Sequence, residues 1–249
     1  MSTHSLIAIK KITGGIYLPS TFLQLMRSLI ILFPLLLLLC WGCPREECRD
    51  ADFGGAYQFV IPATLSPAKD TFRVGDTIHI SSVFSDEVYE RQTEEYYKLE
   101  DWRFYPTTLL DNIDKIDSNF VQDGLIDFDI IIPDKYNYNL NSYIDGSFGL
   151  EGQYFYENSR YSLEYNIVPL KPGLYFFSQL SVQSLDDDQD FPGRCPRVPS
   201  DTNVELNGGA DNNIGFLQNS PDVYYNERIL ARPQDNFHDV GGYCFYVVE

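Results

Sequence analysis

The sequence predicts a mainly β protein, folded as a single antiparallel β-sandwich with one short C-terminal helix, and three observations lead there. Aromatic residues are 15% of the chain, with 18 Tyr and 17 Phe, and such side chains suit a pleated, half-buried surface. Several stretches alternate apolar and polar residues with the two-residue period of a strand, most clearly at 125–132 and 161–167. Turn signals separate the runs, among them Gly75-Asp76, Pro172-Gly173 and Gly241-Gly242.

The first 42 residues stand apart from that fold. Arg27 precedes a thirteen-residue apolar run, Leu29 to Trp41, closed by Gly42 and Cys43. A charged start, a short apolar stretch and a small residue at the cut are the layout of a secretory signal. Thirteen helical residues cover about 20 Å, short of the roughly 30 Å hydrocarbon core, and Pro34 further weakens a spanning helix. Residues 1–25 read as a long n-region or, preferably, as sequence upstream of a start at Met26. Cys40-Trp41-Gly42-Cys43 resembles a loose lipobox, with Cys40 where Leu is usual and a bulky Trp41. The resemblance implies that Cys43 becomes the first mature residue and carries a thioether-linked diacylglycerol. Several acyl chains together give stable anchoring. Pro44-Arg45-Glu46-Glu47 resembles the surface-export tract of Bacteroidota lipoproteins, which implies the outer face of the outer membrane. Residues 43–55 read as a tether and 56–249 as the sandwich domain.

Within that domain, Tyr57 to Ile61 is an expected strand ended by Pro62. Gly75-Asp76 then turns into a run in which Ile78, Ile80 and Phe84 share one face and Thr77, His79 and Ser81 the other. Residues 85–117 are polar and mixed, and are left unassigned. At 125–132, Ile126, Phe128, Ile130 and Ile132 are expected inward. Tyr161, Leu163, Tyr165 and Ile167 form another inward face. Pro172-Gly173 leads into Leu174 to Val182. Ser220-Pro221-Asp222 is a helix start, with a capping Ser and Pro at the first helical position, and the helix should run to Ala231 and stop near Pro233. A last strand spans Tyr243 to Val248 and is expected beside or between others. Val74-Gly75-Asp76-Thr77-Ile78 resembles the entry into strand B of immunoglobulin-like domains. Gly173-Leu174-Tyr175 resembles their tyrosine corner at strand F. Ser82 and Phe177 stand where the sandwich disulfide would be, and the roughly 95 residues between them require insertions.

Charge narrows the function classes. The leader holds three basic residues and no acid, so the remaining 207 residues carry 15 Lys and Arg against 36 Asp and Glu, a net charge of −21. Binding to nucleic acid needs a basic face, and this chain lacks the charge for one. A domain of this length buries about 70% of its unfolded surface, enough for one core without staples. Three cysteines remain after Cys40 and Cys43. The favoured pairing is Cys195–Cys244, worth roughly 4 kcal/mol for a loop of about 50 residues, with Cys48–Cys244 as the alternative.

No sequence pattern calls for catalysis, a cofactor or a metal. Asp186 to Asp190 reads as a solvated acidic loop, because no EF-hand spacing accompanies it. The Asp111, Asp114, Asp117 series and Asn207 to Asp211 are single copies of patterns that need repetition. His238 beside Asp239 reads as a surface histidine near a helix end, since adjacent side chains rarely meet. A two-carboxylate glycosidase has no nominated pair among 36 acids. The stretch Tyr136-Asn137-Tyr138-Asn139-Leu140-Asn141-Ser142-Tyr143 pairs aromatic rings with amides, as sugar sites do. Tyr136, Tyr138 and Tyr143 are therefore the candidate ligand-binding residues, against an edge strand as the simpler account. The expectation is a lipid-anchored, non-enzymatic binding or envelope-structural module with a glycan or protein partner. The alternative is an extracellular hydrolase acting on glycans.

Overall fold

A computed structural model of the chain describes residues 56–115, 124–143, 148–183 and 200–249. The leader, Cys43, Cys48, the tether, Asp117, the acidic run at 186–190 and Cys195 lie outside them. The strands are, in chain order, β1 (Tyr57–Ser66), β2 (Thr71–Arg73), β3 (Ile78–Ser85), β4 (Glu87–Glu90), β5 (Glu95–Lys98), β6 (Phe104–Asn112) and β7 (Phe128–Ile131). They continue with β8 (Asn139–Ser142), β9 (Phe148–Glu151), β10 (Phe155–Glu157), β11 (Arg160–Pro169), β12 (Gly173–Gln183), β13 (Ser200–Leu206) and β14 (Tyr243–Val248). An eight-stranded sheet runs β10-β11-β3-β1-β4-β5, with β13 added on β1 and β7 on β11. A six-stranded sheet runs β2-β14-β12-β6-β9-β8. The fold is a mainly antiparallel β-sandwich, with β1–β13 and β2–β14 pairing in parallel.

The alternating stretches place the core. Tyr161, Leu163, Tyr165 and Ile167 are all buried, as are Ile78, Ile80 and Phe84, and they meet Phe104, Tyr175, Phe177 and Phe245 of the facing sheet. Tyr165 of one sheet lies 2.6 Å from Thr108 Oγ1 of the other, and Thr108 donates to Gln179 Oε1 at 2.9 Å. This triad is buried, so its polar groups are matched across the two layers rather than left orphaned.

Three expectations are corrected. β1 passes through Pro62 to Ser66 because its neighbour on that edge changes there, from β4 at 59–60 to β3 at 64–66, so no ladder partner meets the missing N–H. The turn expected at Gly75-Asp76 is present, and Gly75, at φ +87°, there connects β2 of one sheet to β3 of the other. Residues Leu125–Asp127 form a 3₁₀ turn that throws Ile126 outward, 66% exposed, and draws Asp127 in. Asp127 is held there by Lys171 Nζ at 2.5 Å and the Tyr175 hydroxyl at 3.1 Å. The C-terminal helix ends at Ala231 as expected, but a second helical stretch follows it: the wide turns are Tyr224–Ile229 and Gln234–His238, with Asp222 N–H donating to Ser220 Oγ ahead of the first.

Those turns cover the outer face of β12 and β14. Leu174, Phe176 and Cys244 point into a second cluster with Leu217, Ile229 and Phe237, while Tyr175, Phe177 and Phe245 point into the first. Burial on both faces explains why 174–177 reads as an unbroken apolar run. β14 lies between β2 and β12, as expected of it. Cys244 is a buried thiol bonded to no described residue, and its expected partner Cys195 lies outside the described residues; burial pushes its acidity well below that of an ordinary thiol. No helix among the described residues is long and apolar enough to cross a membrane.

Candidate ligand-binding groove

The larger sheet does not pair evenly. From Thr64↔Ser81 to Val60↔Tyr89, β1 advances four residues while its neighbour covers eight. The four extra residues bow away from β1 around Asp86, still paired on their far side with β11 up to Ser85 and with β5 from Glu87. Asp86 fastens the excursion: its N–H donates to Ser159 O at 3.0 Å, its carbonyl accepts from Leu99 N–H at 2.7 Å, and its carboxylate accepts from the Tyr156 hydroxyl at 2.9 Å. On the opposite side stands Pro62, which has no N–H to close the gap and whose carbonyl accepts from Ser82 Oγ at 2.6 Å. The sheet opens there into a groove of about 460 Å³.

Two rows of side chains furnish it. Val60, Tyr89 and Tyr96 stand side by side on β1, β4 and β5, with Tyr96 70% exposed and its ring centroid 5.4 Å from that of Tyr89. Val83, 40% exposed, extends the apolar floor. In the next row Glu205 of β13 is in register with Pro62, and Glu87 lines the groove from β4. Both carboxylates are exposed.

Beyond Glu205 lies a smaller polar cleft of about 220 Å³ bounded by Arg91, His238 and Asp239. Arg91 grips Asp239 with two nitrogens at 3.0 and 2.9 Å, and Gln234 Nε2 adds a third contact at 2.6 Å. Asp239 is thus committed to Arg91, and the His238 ring packs edge-on against Phe237 instead. The turn between β4 and β5 is pinned by Glu90, which is fully buried. Its carboxylate accepts from the N–H groups of Gln58 (2.7 Å), Gln92 (3.0 Å) and Thr93 (2.6 Å), and from Thr93 Oγ1 (2.7 Å). Desolvation opposes its charge, but these donors outweigh it and hold its pKa below the usual value. Tyr89 and Arg91, on either side of Glu90, are positioned by the same clamp.

The tyrosines nominated from sequence do not form a sugar platform. Tyr136 is 0% exposed, and the Tyr138 ring lies inside, 5.6 Å from Tyr165 and flat against Gly152, where an added Cβ would fall 2.2 Å from the ring. Tyr143 is on the surface, but its ring rests on Gly149 and its hydroxyl donates to Glu151 at 2.6 Å. β8 is the edge strand of its sheet, as the simpler account had it. Asn207 to Asp211 is a turn whose Asn207 side chain accepts from Leu65 N–H at 2.9 Å and donates to Asn212 at 3.0 Å. Among the described residues no group of three or more His, Cys, Asp or Glu could hold a metal ion. The groove escaped sequence reading because Glu87, Tyr89 and Tyr96 sit on β4 and β5, inside the unassigned stretch, and because a register slip leaves no periodic signal.

No protein-family model matches the chain, and no curated protein sequence matches it. Among solved structures it is similar to a type II cohesin domain from the cellulosome of Acetivibrio cellulolyticus, at 10% identity and a TM-score of 0.30, over 58% of this chain and 91% of that one. A type II cohesin dyad from the adaptor ScaA scaffoldin of the same organism gives 11% identity and 0.30, over 58% and 46%. A type III cohesin module from the ScaE cell-surface anchoring scaffoldin of Ruminococcus flavefaciens gives 9% identity and 0.25, over 60% and 88%. Likenesses this distant carry nothing about partners. Fold and groove together define a β-sandwich module with an open, apolar and acidic cleft in one sheet face.

Proposed function

We propose that this chain is a non-enzymatic binding module, tethered to the outer face of the envelope by lipid on Cys43. Its ligand rests in the groove between β1 and the β3–β4 strand. The observation that supports this reading is the splayed register itself, because the sheet opens at Pro62 and leaves Tyr96 and Val83 in solvent beside two carboxylates. Exposed apolar surface rimmed by polar groups marks interaction sites. The tether would present this face to material outside the cell.

A second reading rests on Glu87 and Glu205 as the carboxylate pair of a glycan hydrolase. It is the weaker one, because a general acid must be kept protonated by an apolar, desolvated pocket, and both groups are exposed. Glycan and peptide arrays probed with the full chain, run alongside a turnover assay on the same polysaccharides, separate the two. Saturable binding that Tyr96→Ala weakens, without product release, supports the module. Product release abolished by Glu87→Gln or Glu205→Gln overturns it.

A further inference from the structure

Resting on the binding-module reading, the chemistry of the groove points to one class of partner. Glu87 and Glu205 make no ion pair within 4 Å among the described residues: Lys98, opposite Glu87 in the β4–β5 ladder, bonds Glu100 at 2.8 Å, and Arg91, which also feels the charge of Glu205, bonds Asp239 at 2.9 Å. The two carboxylates flank Pro62, and the apolar row of Val60, Tyr89 and Tyr96 runs alongside. A neutral sugar could stack on the rings but would draw no attraction from the two charges. A phosphate backbone would be repelled by a chain of net charge −18. A Lys or Arg side chain meets both demands, since its methylene stem covers apolar surface while its charged head reaches a carboxylate or a ring face.

We propose that the groove holds a protein segment whose Lys or Arg side chain lies between Glu87 and Glu205, with a neighbouring aliphatic or aromatic residue on Val60, Tyr89 and Tyr96. The test is an array of random dodecapeptides probed with the full chain. The bound set should be enriched in Lys or Arg next to a large apolar residue. Glu87→Gln and Glu205→Gln should each weaken binding about fivefold, with a loss that shrinks as salt rises. The double variant Glu87→Lys/Glu205→Lys should turn the preference toward acidic peptides. Asn141→Ala, on the far sheet, should change nothing, and thermal melts confirm that each surface variant is folded. Bound peptides with no basic enrichment, and unmoved by the double variant, overturn the partner assignment. If Tyr96→Ala still weakens those peptides, the module reading survives without it. If no peptide binds and a neutral glycan does, the protein partner is likewise excluded.

Discussion

The hydroxyl of Tyr175 lies 3.2 Å from the carbonyl oxygen of Lys171, four residues upstream, and 3.1 Å from Asp127 Oδ2. A tyrosine bonded back to the chain just before its own strand is the corner device of immunoglobulin-like sandwiches. Here it also ties the entry of β12 to the 3₁₀ turn before β7, across the two sheets. Burial and the Asp127 charge raise the Tyr175 pKa, so the ring stays protonated and remains a donor.

Tyr175→Phe keeps the ring contacts with Phe128 and Phe245, at 4.8 and 5.9 Å, and removes only the hydroxyl. The expected loss is about 1.5–3 kcal/mol by urea denaturation, the worth of a buried hydrogen bond to a carboxylate. Tyr175→Ala should cost about 3–5 kcal/mol, because it also opens a cavity in the core.

Glu90 should shape the acid limb of stability. Its folded pKa is lowered by four donors that outweigh desolvation, so its contribution is full above the unfolded value, about 4.3, and is lost as pH falls through the folded one. Glu90→Gln should therefore destabilise the protein by roughly 2–3 kcal/mol near neutral pH and by less in acid. Denaturant melts across that range check it, and an unchanged pH profile in the variant would contradict the clamp.

Gly152 and Tyr138 form a fitted pair. Gly152→Ala places a methyl carbon 2.2 Å from the ring, which should cost about 1–3 kcal/mol through overpacking. With Tyr138→Ala the two losses should fall short of additive, because the second removes the clash. Additive losses would show that the ring does not rest there.

Cys244 should be inert in the folded protein. Its thiol is buried in the second cluster and its pKa is pushed far up by desolvation, so the reactive thiolate is scarce. Iodoacetamide should label it only after unfolding, and peptide mapping without reduction should find it unlinked. Ready labelling of the folded protein, or a disulfide-linked peptide carrying Cys244, would contradict this.

Much of this fold is legible from residue order, and the limits have physical causes. Period-two alternation located β3, β11 and the inward half of 125–132, because a half-buried strand writes its burial directly into sequence. It failed at Ile126, where Asp127 finds Lys171 and Tyr175 as partners and a charged side chain turns inward. Distant partners of that kind have no local signature. Pro62 misled for a similar reason: whether a strand tolerates proline depends on which neighbour lies beside it. The groove was invisible because its residues come from five strands brought together by a slip in pairing. Tyr136 and Tyr138 looked like a binding surface for their composition, and the sheet used them as filling.

The most direct test of the groove is amide hydrogen exchange on the full chain, with and without the tightest array peptide. The account predicts slowed exchange at 58–62, 83–89 and 203–206, the segments that bound the opening around Pro62. Protection confined to β8 and β9, around Tyr143 and Glu151, with none in those segments, would contradict it.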